Sequence, residues 1–318
     1  MRALAALFAA AALTQAAAQT YPSKPVRVLA PFPAGSGVDI VARAVAIPLA
    51  EAWGQAVVVD NRPGAGGTLA SELAAKAPPD GYTLLLGNVS TLAIAPALYR
   101  GIGYDPVRSF APVTQITTAA NALVVHPSVP VTTTQEFIAL ARAKPGQLNY
   151  GSAGSGTTPH LAAELFRQMT GVVLVHVPYK GSPQAVTDLL GGQTQLMFAT
   201  IVTTLPHIRQ GRLRALGVTS LKRAALLPDV PTLNETGLKG YEVTGWQGIT
   251  APAGTPQTIV AGLHQALAKI LATRETRERL DAQGLEVVAS SPAAFGAYIA
   301  AEFSKWKSVI RKAGVTAD

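Results

Sequence analysis

The sequence predicts an α/β fold built on parallel sheet. Short β-branched strands alternate with helical stretches, the turns between them are rich in glycine and serine, and 318 residues suffice for two domains. Val26 to Pro31 is the first strand, ended by Pro-Phe-Pro. The turn Ala34-Gly35-Ser36-Gly37-Val38-Asp39 leads into a helix from Ile40 to Trp53, with Gly54 as its stop and Pro48 expected to kink or shorten it. Val57-Val58-Val59 is a strand, Asn61 to Gly67 a turn, and Thr68 to Lys76 a helix with Leu69 and Leu73 on one face. Tyr82 to Gly87 is a third strand.

The pattern then repeats. Ala122 to Val125 is a strand and Thr134 to Ala143 a helix, and Leu148-Asn149-Tyr150 is a strand that runs into the turn Gly151 to Thr157. A helix follows from about Pro159 to Thr170. Val172 to Val177, Leu196 to Phe198 and Arg214 to Val218 are further strands, and Pro183 to Leu190 is a helix. Two helices close the chain. Thr255 is read as the cap of the first, whose stripe is Ile259, Leu263, Leu267, Ile270 and Leu271. Ser291-Pro292 opens the second, striped by Phe295, Tyr298, Ile299, Phe303, Trp306, Val309 and Ile310 and ended by Gly314.

The first residues read as an export signal. Met1-Arg2 is a positive start, Ala3 to Leu13 is apolar, and Ala16-Ala17-Ala18 offers a small-x-small cleavage site before Gln19. The apolar part is shorter than the roughly 20 residues a membrane span needs. Residues 1–18 are therefore expected to be removed near Ala18, leaving an exported, soluble chain.

Composition excludes several classes. With no cysteine, thiol catalysis, cysteine-based zinc sites and a cysteine-linked lipid anchor are ruled out. The formal net charge is +8, yet only 14% of residues are charged and the basic ones are scattered, so the dense stripe that nucleic acid demands is missing. A mild positive field suits a small anion and equally suits plain solubility. His126, His160, His176, His207 and His264 are scattered without metal-ligand spacing, so neither metal nor cofactor is expected.

Two turns carry the chemistry, Ala34 to Asp39 and Gly151 to Thr157. Each follows a strand and opens a helix. The first N–H groups of a helix lack partners within it, and the helix dipole makes that end partly positive. Such a turn binds an anion without arginine or lysine. Ordinary tight turns would look the same one at a time; two of them, one in each half, point to a ligand gripped from both sides. Ser36, Ser152, Ser155, Thr157 and Thr158 add hydroxyls, which also fit N-capping. Asp39 fits a helix cap, His160 lies one residue inside the second helix, and Lys180 sits in a strand-end loop. Catalytic patterns fail. Ala34 and Ala153 stand where a nucleophile elbow needs glycine, and Gly64-Ala65-Gly66 and Gly154-Ser155-Gly156 both miss the third glycine of a dinucleotide fingerprint. A serine hydrolase using Ser155 or Ser36 with His160 is thus a weak alternative.

Ordered motifs then give a resemblance that spans Tyr21 to the last helix. Tyr21 to Arg27, Pro31-Phe32-Pro33-Ala34-Gly35, Asn61 to Gly67, Pro79 to Leu84, Leu148 to Ser152, His176 to Gly181, Leu227 to Thr232 and Ala251 to Pro256 resemble the Bug/TctC-type receptors of tripartite tricarboxylate transporters. The resemblance implies a type II periplasmic-binding-protein fold, two α/β lobes joined by two crossing segments with a ligand cleft between them. The crossings are expected near Thr117–Ala120 and Thr244–Gly248, lobe one over 21–118 plus 246–318, and lobe two over 119–245. It implies a periplasmic receptor, not an enzyme, that is monomeric, captures a small organic carboxylate and passes it to permease subunits. A sensor that signals to a membrane regulatory protein is the alternative. Carried over by motif, the ligand residues are Phe32, Ala34, Gly35, Ser36, Asp39 and Asn88 from lobe one, and Ser152, Gly154, Ser155, Gly156, Thr157, Thr158 and His160 from lobe two, with Tyr179, Lys180 and Trp246 beside them. Ser36 interrupts a glycine run frequent in the family. Ala199 replaces a common aspartate, which removes a partner for a ligand ammonium and favours a carboxylate without an amine.

Overall fold

A computed structural model describes residues 21–316; the expected signal segment lies outside the described residues. Parallel pairing appears where the alternation of strands and helices predicts it. β1 (Val26–Ala30) lies between β2 (Val57–Asn61) and β3 (Thr83–Asn88), parallel to both. In the second half β5 (Asn149–Ser152) lies parallel between β6 (Val175–Pro178) and β7 (Leu196–Thr200).

What joins the halves was not visible as strand in the sequence. β4 (Phe110–Val125) is 16 residues long. From Phe110 to Ala120 it pairs antiparallel with β9 (Thr244–Pro252) on one edge, and from Asn121 to Val125 with β7 on the opposite edge. It also pairs with β10 (Glu286–Val287) at Thr117–Thr118, across from β9, and with β8 (Arg214–Val218) beyond Asn121, across from β7. β9 in turn pairs with β3. The exchange of partners at Ala120/Asn121 is pinned by Thr219, whose Oγ1 accepts from Asn121 N–H (2.9 Å) and donates to the Val243 carbonyl (2.6 Å).

The helices follow local chemistry. α1 (Gly37–Trp53) starts three residues earlier than expected because the Ser36 hydroxyl accepts from Asp39 N–H and caps it. Pro48 does not shorten it: the helix runs on to Trp53, with Val41, Val45 and Leu49 buried along one face. α2 (Thr68–Ala75) corrects another expectation. It buries the small residues Ala70, Ser71 and Ala74 and leaves Leu69 and Leu73 more than 40% exposed. After β3 come a π-helical turn (Ser90–Ile94) and the short α3 (Ala95–Leu98), neither marked in the sequence.

In the second half α4 (Thr134–Ala143) is closed by a Thr133/Glu136 capping box. α5 (Thr158–Thr170), α6 (Ser182–Leu190) and an unforeseen α7 (Ile201–Arg209) follow their strands. Three helices, not two, close the chain: α8 (Gln257–Ala272), α9 (Arg274–Asp281) and α10 (Pro292–Ala313). Thr255 does not cap α8. Its hydroxyl turns back to the Pro252 carbonyl, whereas Thr273 and Ser291 cap α9 and α10.

α10 ties the two halves. Phe295, Ile299, Trp306 and Val309 are buried, and the buried Glu302 accepts from the indoles of both Trp246 and Trp306 at 3.1 Å. Across from it, Gln168 on α5 donates to the Val309 carbonyl (3.0 Å). Leu29 and Leu85 from the first sheet share one buried cluster with Phe137, Phe166 and Phe198 from the second. Full burial of each such side chain is worth about 1.5–3 kcal/mol, so the two halves are built on a substantial common base.

Candidate functional site

The loops that close β1 and β5 meet at one cleft of about 320 Å³. Phe32, Gly66, Ser90, Ile94, Leu98 and Tyr99 line it from one half, and Ser155, Gly156, Thr157, Thr158 and Pro159 from the other. The approach is close: a Cβ on Gly156, whose φ is +72°, would lie 2.8 Å from Leu98 Cδ2. Of the sequence-predicted residues, Phe32, Ser155, Gly156, Thr157 and Thr158 are thus brought together around one space.

The remaining predicted residues stand at different distances from that space. Ala34 and Gly35 lie on the exposed crest of the first loop, and Ser36 is spent on capping α1. Asp39 is buried behind that loop. Its carboxylate accepts from Gly35 N–H (2.9 Å), Arg43 Nε (3.0 Å) and Asn61 Nδ2 (3.0 Å), and Asn61 also donates to the Phe32 carbonyl (2.9 Å). Burial pushes the Asp39 carboxyl up, but the hydrogen bonds from Arg43, Gly35 and Asn61 outweigh it and hold the group below the usual carboxylate range. The first helix start is therefore neutralised from within.

Asn88, at the end of β3, is buried and exchanges hydrogen bonds with Thr91: its N–H donates to Thr91 Oγ1 and its Oδ1 accepts from Thr91 N–H, both at 3.0 Å. Tyr179 donates to Asp188 (2.8 Å); burial and that carboxylate push its phenol up to about 12. Its backbone N–H holds the Ser152 carbonyl. Lys180 is exposed. Trp246 does not line the cleft: it is 1% exposed, packed edge-on against Phe295 and Tyr298 and bonded to Glu302.

The second helix start is different. Thr157 is the N-cap of α5, yet its hydroxyl makes no cap hydrogen bond and donates to the Gly154 carbonyl instead (2.7 Å). Pro159 has no N–H to satisfy. Thr158 and His160 N–H are left without the side-chain acceptor that a capping residue supplies. No carboxylate stands in that first turn. Not every amide of this loop is free, however. Gly154 N–H donates to Ser152 Oγ (3.1 Å) and Gly156 N–H to His160 Nδ1 (2.9 Å).

Beneath the loop lies a buried aromatic stack that sequence spacing did not show. His176 was read as scattered from His160, but the two rings lie parallel, 4.0 Å apart and 5° from coplanar, with Tyr150 4.8 Å beyond His176. His176 Nε2 is 2.6 Å from Ser152 Oγ. Tyr150 donates to Glu164 (2.7 Å), which also pairs with Arg167 (2.6 Å). Burial, with the neighbouring His160, pushes His176 down to about 4, and burial likewise lowers His160 against the opposing pull of Glu164. Both imidazoles are neutral at pH 7.

Sequence reasoning missed Gly66, Ser90, Ile94, Ala95, Leu98, Tyr99 and Pro159 among the lining residues. Ser90 lies two residues beyond Asn88, the last residue of β3, so the rule that ligands meet open α/β sheets at strand C-termini pointed to it. Gly66 lies in the turn after β2. Ile94, Leu98 and Tyr99 come from the π-helical turn and α3, which left no periodic signature. A second cavity, of about 260 Å³, adjoins the crossing strands between Thr118, Ala120, Ile201, Ser220 and Leu285 and holds no predicted site residue.

Comparisons with known proteins identify the family. The family of tripartite tricarboxylate transporter receptors, TctC, matches residues 41–315. BugT of Bordetella pertussis is 36% identical over 93% of this chain and 91% of its own. A protein from the tcbD-tcbE intergenic region of Pseudomonas sp. strain P51 is 39% identical over 91% of this chain and 86% of its own. Among solved structures, R. palustris Rpa4515 with adipate is 38% identical, with a TM-score of 0.76 over 93% of this chain and 99% of that one. MatC from Rhodopseudomonas palustris with bound malate is 33% identical, with a TM-score of 0.73 over 91% and 100%. A TctC solute-binding protein from Polaromonas reaches a TM-score of 0.85 at 31% identity over 92% and 100%. The chain therefore belongs to the Bug/TctC family of periplasmic solute-binding receptors, with that family's two-lobed α/β fold, and is not an enzyme.

Proposed function

We propose that this protein captures a small organic carboxylate between two lobes, residues 21–118 plus 246–318 and residues 119–245, and delivers it as a monomer to the permease subunits of a tripartite tricarboxylate transporter. The observation that carries the reading is the open start of α5, set in a cleft that Phe32 closes from the other side. A carboxylate there accepts from unpartnered helix N–H groups and from the hydroxyls of Ser155, Thr157 and Thr158, without a charged side chain. Asn88, Ser152, Gly154 and His160 shape the surroundings of that position, and Ala34, Gly35 and Ser36 ride on the opposing loop. Because the ligand touches both lobes only when they close, it shifts the population toward closure, and the closed outline is what the permease reads.

The hydrocarbon part of the ligand lies against Phe32, Ile94 and Leu98. Ala199, a buried methyl at the end of β7, offers nothing to an ammonium group. Adipate and malate, present in the solved relatives, are carboxylates without an amine and support the same class here. Export through the inner membrane with cleavage near Ala18 completes the assignment. Among the described residues no helix is long and apolar enough to cross a membrane.

Calorimetric titration with adipate, malate, benzoate, aspartate and glutamate tests the ligand class. One or more of the three acids without an amine binds, with a more compact small-angle scattering profile on binding. Tighter binding of aspartate or glutamate than of all three overturns the ligand class, and a scattering profile unchanged by a bound ligand overturns the closing mechanism. N-terminal sequencing of the exported protein gives Gln19 as the first residue.

A further inference from the structure

We propose that His160, stacked on His176, is a positioning residue for the ligand loop Ser152–Thr157, and that the loop keeps its receiving shape only while the His160 ring is neutral. The inference rests on the anion-binding reading above, but its geometry is independent of any ligand. Two amides of the loop are turned inward, away from ligand duty. Gly156 N–H ends on His160 Nδ1 at 2.9 Å, and Gly154 N–H ends on Ser152 Oγ at 3.1 Å, which is itself 2.6 Å from His176 Nε2. With those two amides tied down, the next N–H groups along the chain, at the start of α5, are left for the cleft.

The hydrogen bonds fix the protonation requirement. An N–H donor can end on Nδ1 only if that nitrogen carries a lone pair, so His160 bears its proton on Nε2, which lies 3.8 Å from Glu164. A second proton on Nδ1 would set two donors against each other 2.9 Å apart and push Gly156 out. His176 faces no carboxylate at hydrogen-bonding distance to reward a charge. The stacked partner 4.0 Å away repels a second one, and Arg167 disfavours both. The groups around the pair are Tyr150 and Ser152 on β5 and Glu164 and Arg167 on α5. Glu164 alone favours protonation, and it is already held by Tyr150 and Arg167. A cation below the loop would also attract an anion. The two effects of acidification oppose each other, and the donor-donor conflict at 2.9 Å acts directly on the loop, so the loop opens and the anion leaves.

The test compares the free wild-type protein with His160→Asn, whose Oδ1 accepts from Gly156 without titrating, and with His160→Ala. Amide exchange of Gly156, corrected for intrinsic rates, is followed by NMR between pH 7.5 and 4. Wild type loses at least tenfold of its protection with the midpoint of the histidine ring resonances. His160→Asn keeps its protection throughout, and His160→Ala lacks it at every pH. Wild-type protection that persists while the rings titrate, or a wild-type profile in His160→Asn, overturns the proposal whether or not a ligand is known. With adipate or malate as probe, affinity in wild type falls tenfold or more over the same range, and His160→Asn holds it within threefold. Affinity that rises on acidification also overturns the proposal. If neither acid binds at neutral pH, the choice of ligand is wrong while the amide profiles still decide the role of His160.

Discussion

The two loops that frame the cleft look alike in sequence and differ in chemistry. Each is a glycine- and serine-rich turn from a strand into a helix. At the first, Ser36 caps α1, and Asp39 fills the helix start with a carboxylate that Gly35, Asn61 and Arg43 hold in place. At the second, Thr157 faces away from its helix, Pro159 contributes no donor, and no acid stands in the first turn of α5. The first start is sealed and presents Phe32 to the cleft; the second is open, and it is the start we propose receives the ligand's charge. On that reading an anion-binding turn is defined by what fails to cap it, more than by its glycine content.

Making the second start resemble the first gives the largest expected effect. Thr157→Asp installs a self-capping carboxylate at the N-cap of α5. Aspartate is as good an N-cap as threonine or better, so thermal stability is maintained or rises slightly, by up to about 1 kcal/mol. Ligand affinity falls at least a hundredfold, about 2.7 kcal/mol, because the variant's own carboxylate takes the donors and repels the ligand's. Calorimetry paired with thermal denaturation checks both halves. Full affinity in a stable Thr157→Asp protein would remove α5 from the binding site.

A matched glycine pair sharpens the contrast at the next level. Gly35 and Gly156 both have left-handed backbone, at φ +80° and +72°, but a Cβ on Gly35 meets nothing within 4 Å while one on Gly156 meets Leu98 Cδ2 at 2.8 Å. Alanine at either position costs about 1–2 kcal/mol of stability from the backbone conformation alone. Only Gly156→Ala also wedges the cleft, so its affinity drops about tenfold, some 1.4 kcal/mol, while Gly35→Ala stays within twofold. Equal affinity losses in the two variants would show that the loops contribute alike and break the comparison.

The legibility of the molecule in its sequence follows the same division between local and distant chemistry. Parallel strands such as β1, β3 and β5 were readable because short apolar runs end in turn residues, and Ser291 and Gly314 marked the ends of α10 by local hydrogen bonding. β4 was half hidden, since its Phe110–Asn121 stretch mixes Thr, Gln, Asn and Pro and becomes strand only through its partners β9 and β10. α2 deceived because its apolar face is the exposed one; the buried face uses alanine and serine, which carry little hydrophobic signal. The motif loops identified Phe32 and Ser155 to Thr158, whereas Leu98 reaches the cleft through a π-helical turn with no period to detect. The pairing of His160 with His176 lay beyond reach for a plainer reason: a contact between a helix and the strand that follows it, 16 residues on, leaves no mark in either segment.

The smallest effect on binding belongs to Asp39, and it separates wall from receptor. Asp39→Asn keeps the shape of the side chain but removes the charge from the hydrogen bonds to Gly35 and Arg43. The group is buried and its partners are fixed, so the loss in stability is about 1–3 kcal/mol at neutral pH. The carboxyl is held below its usual range, so its contribution is complete above the ordinary carboxylate value of about 4. It is lost as pH falls through the lower folded-state value. The stability gap between wild type and variant is thus widest near pH 7 and closes on acidification, a trend that urea denaturation at a series of pH values measures directly. Ligand affinity at neutral pH changes less than twofold, because the first helix start is sealed with or without its charge: Ser36 still caps Asp39's position, and the amide of Asn61 still holds the Phe32 carbonyl. A tenfold change in affinity, up or down, without a matching loss of folded protein would mean that Asp39 acts on the ligand directly and that the sealed start is a second receptor.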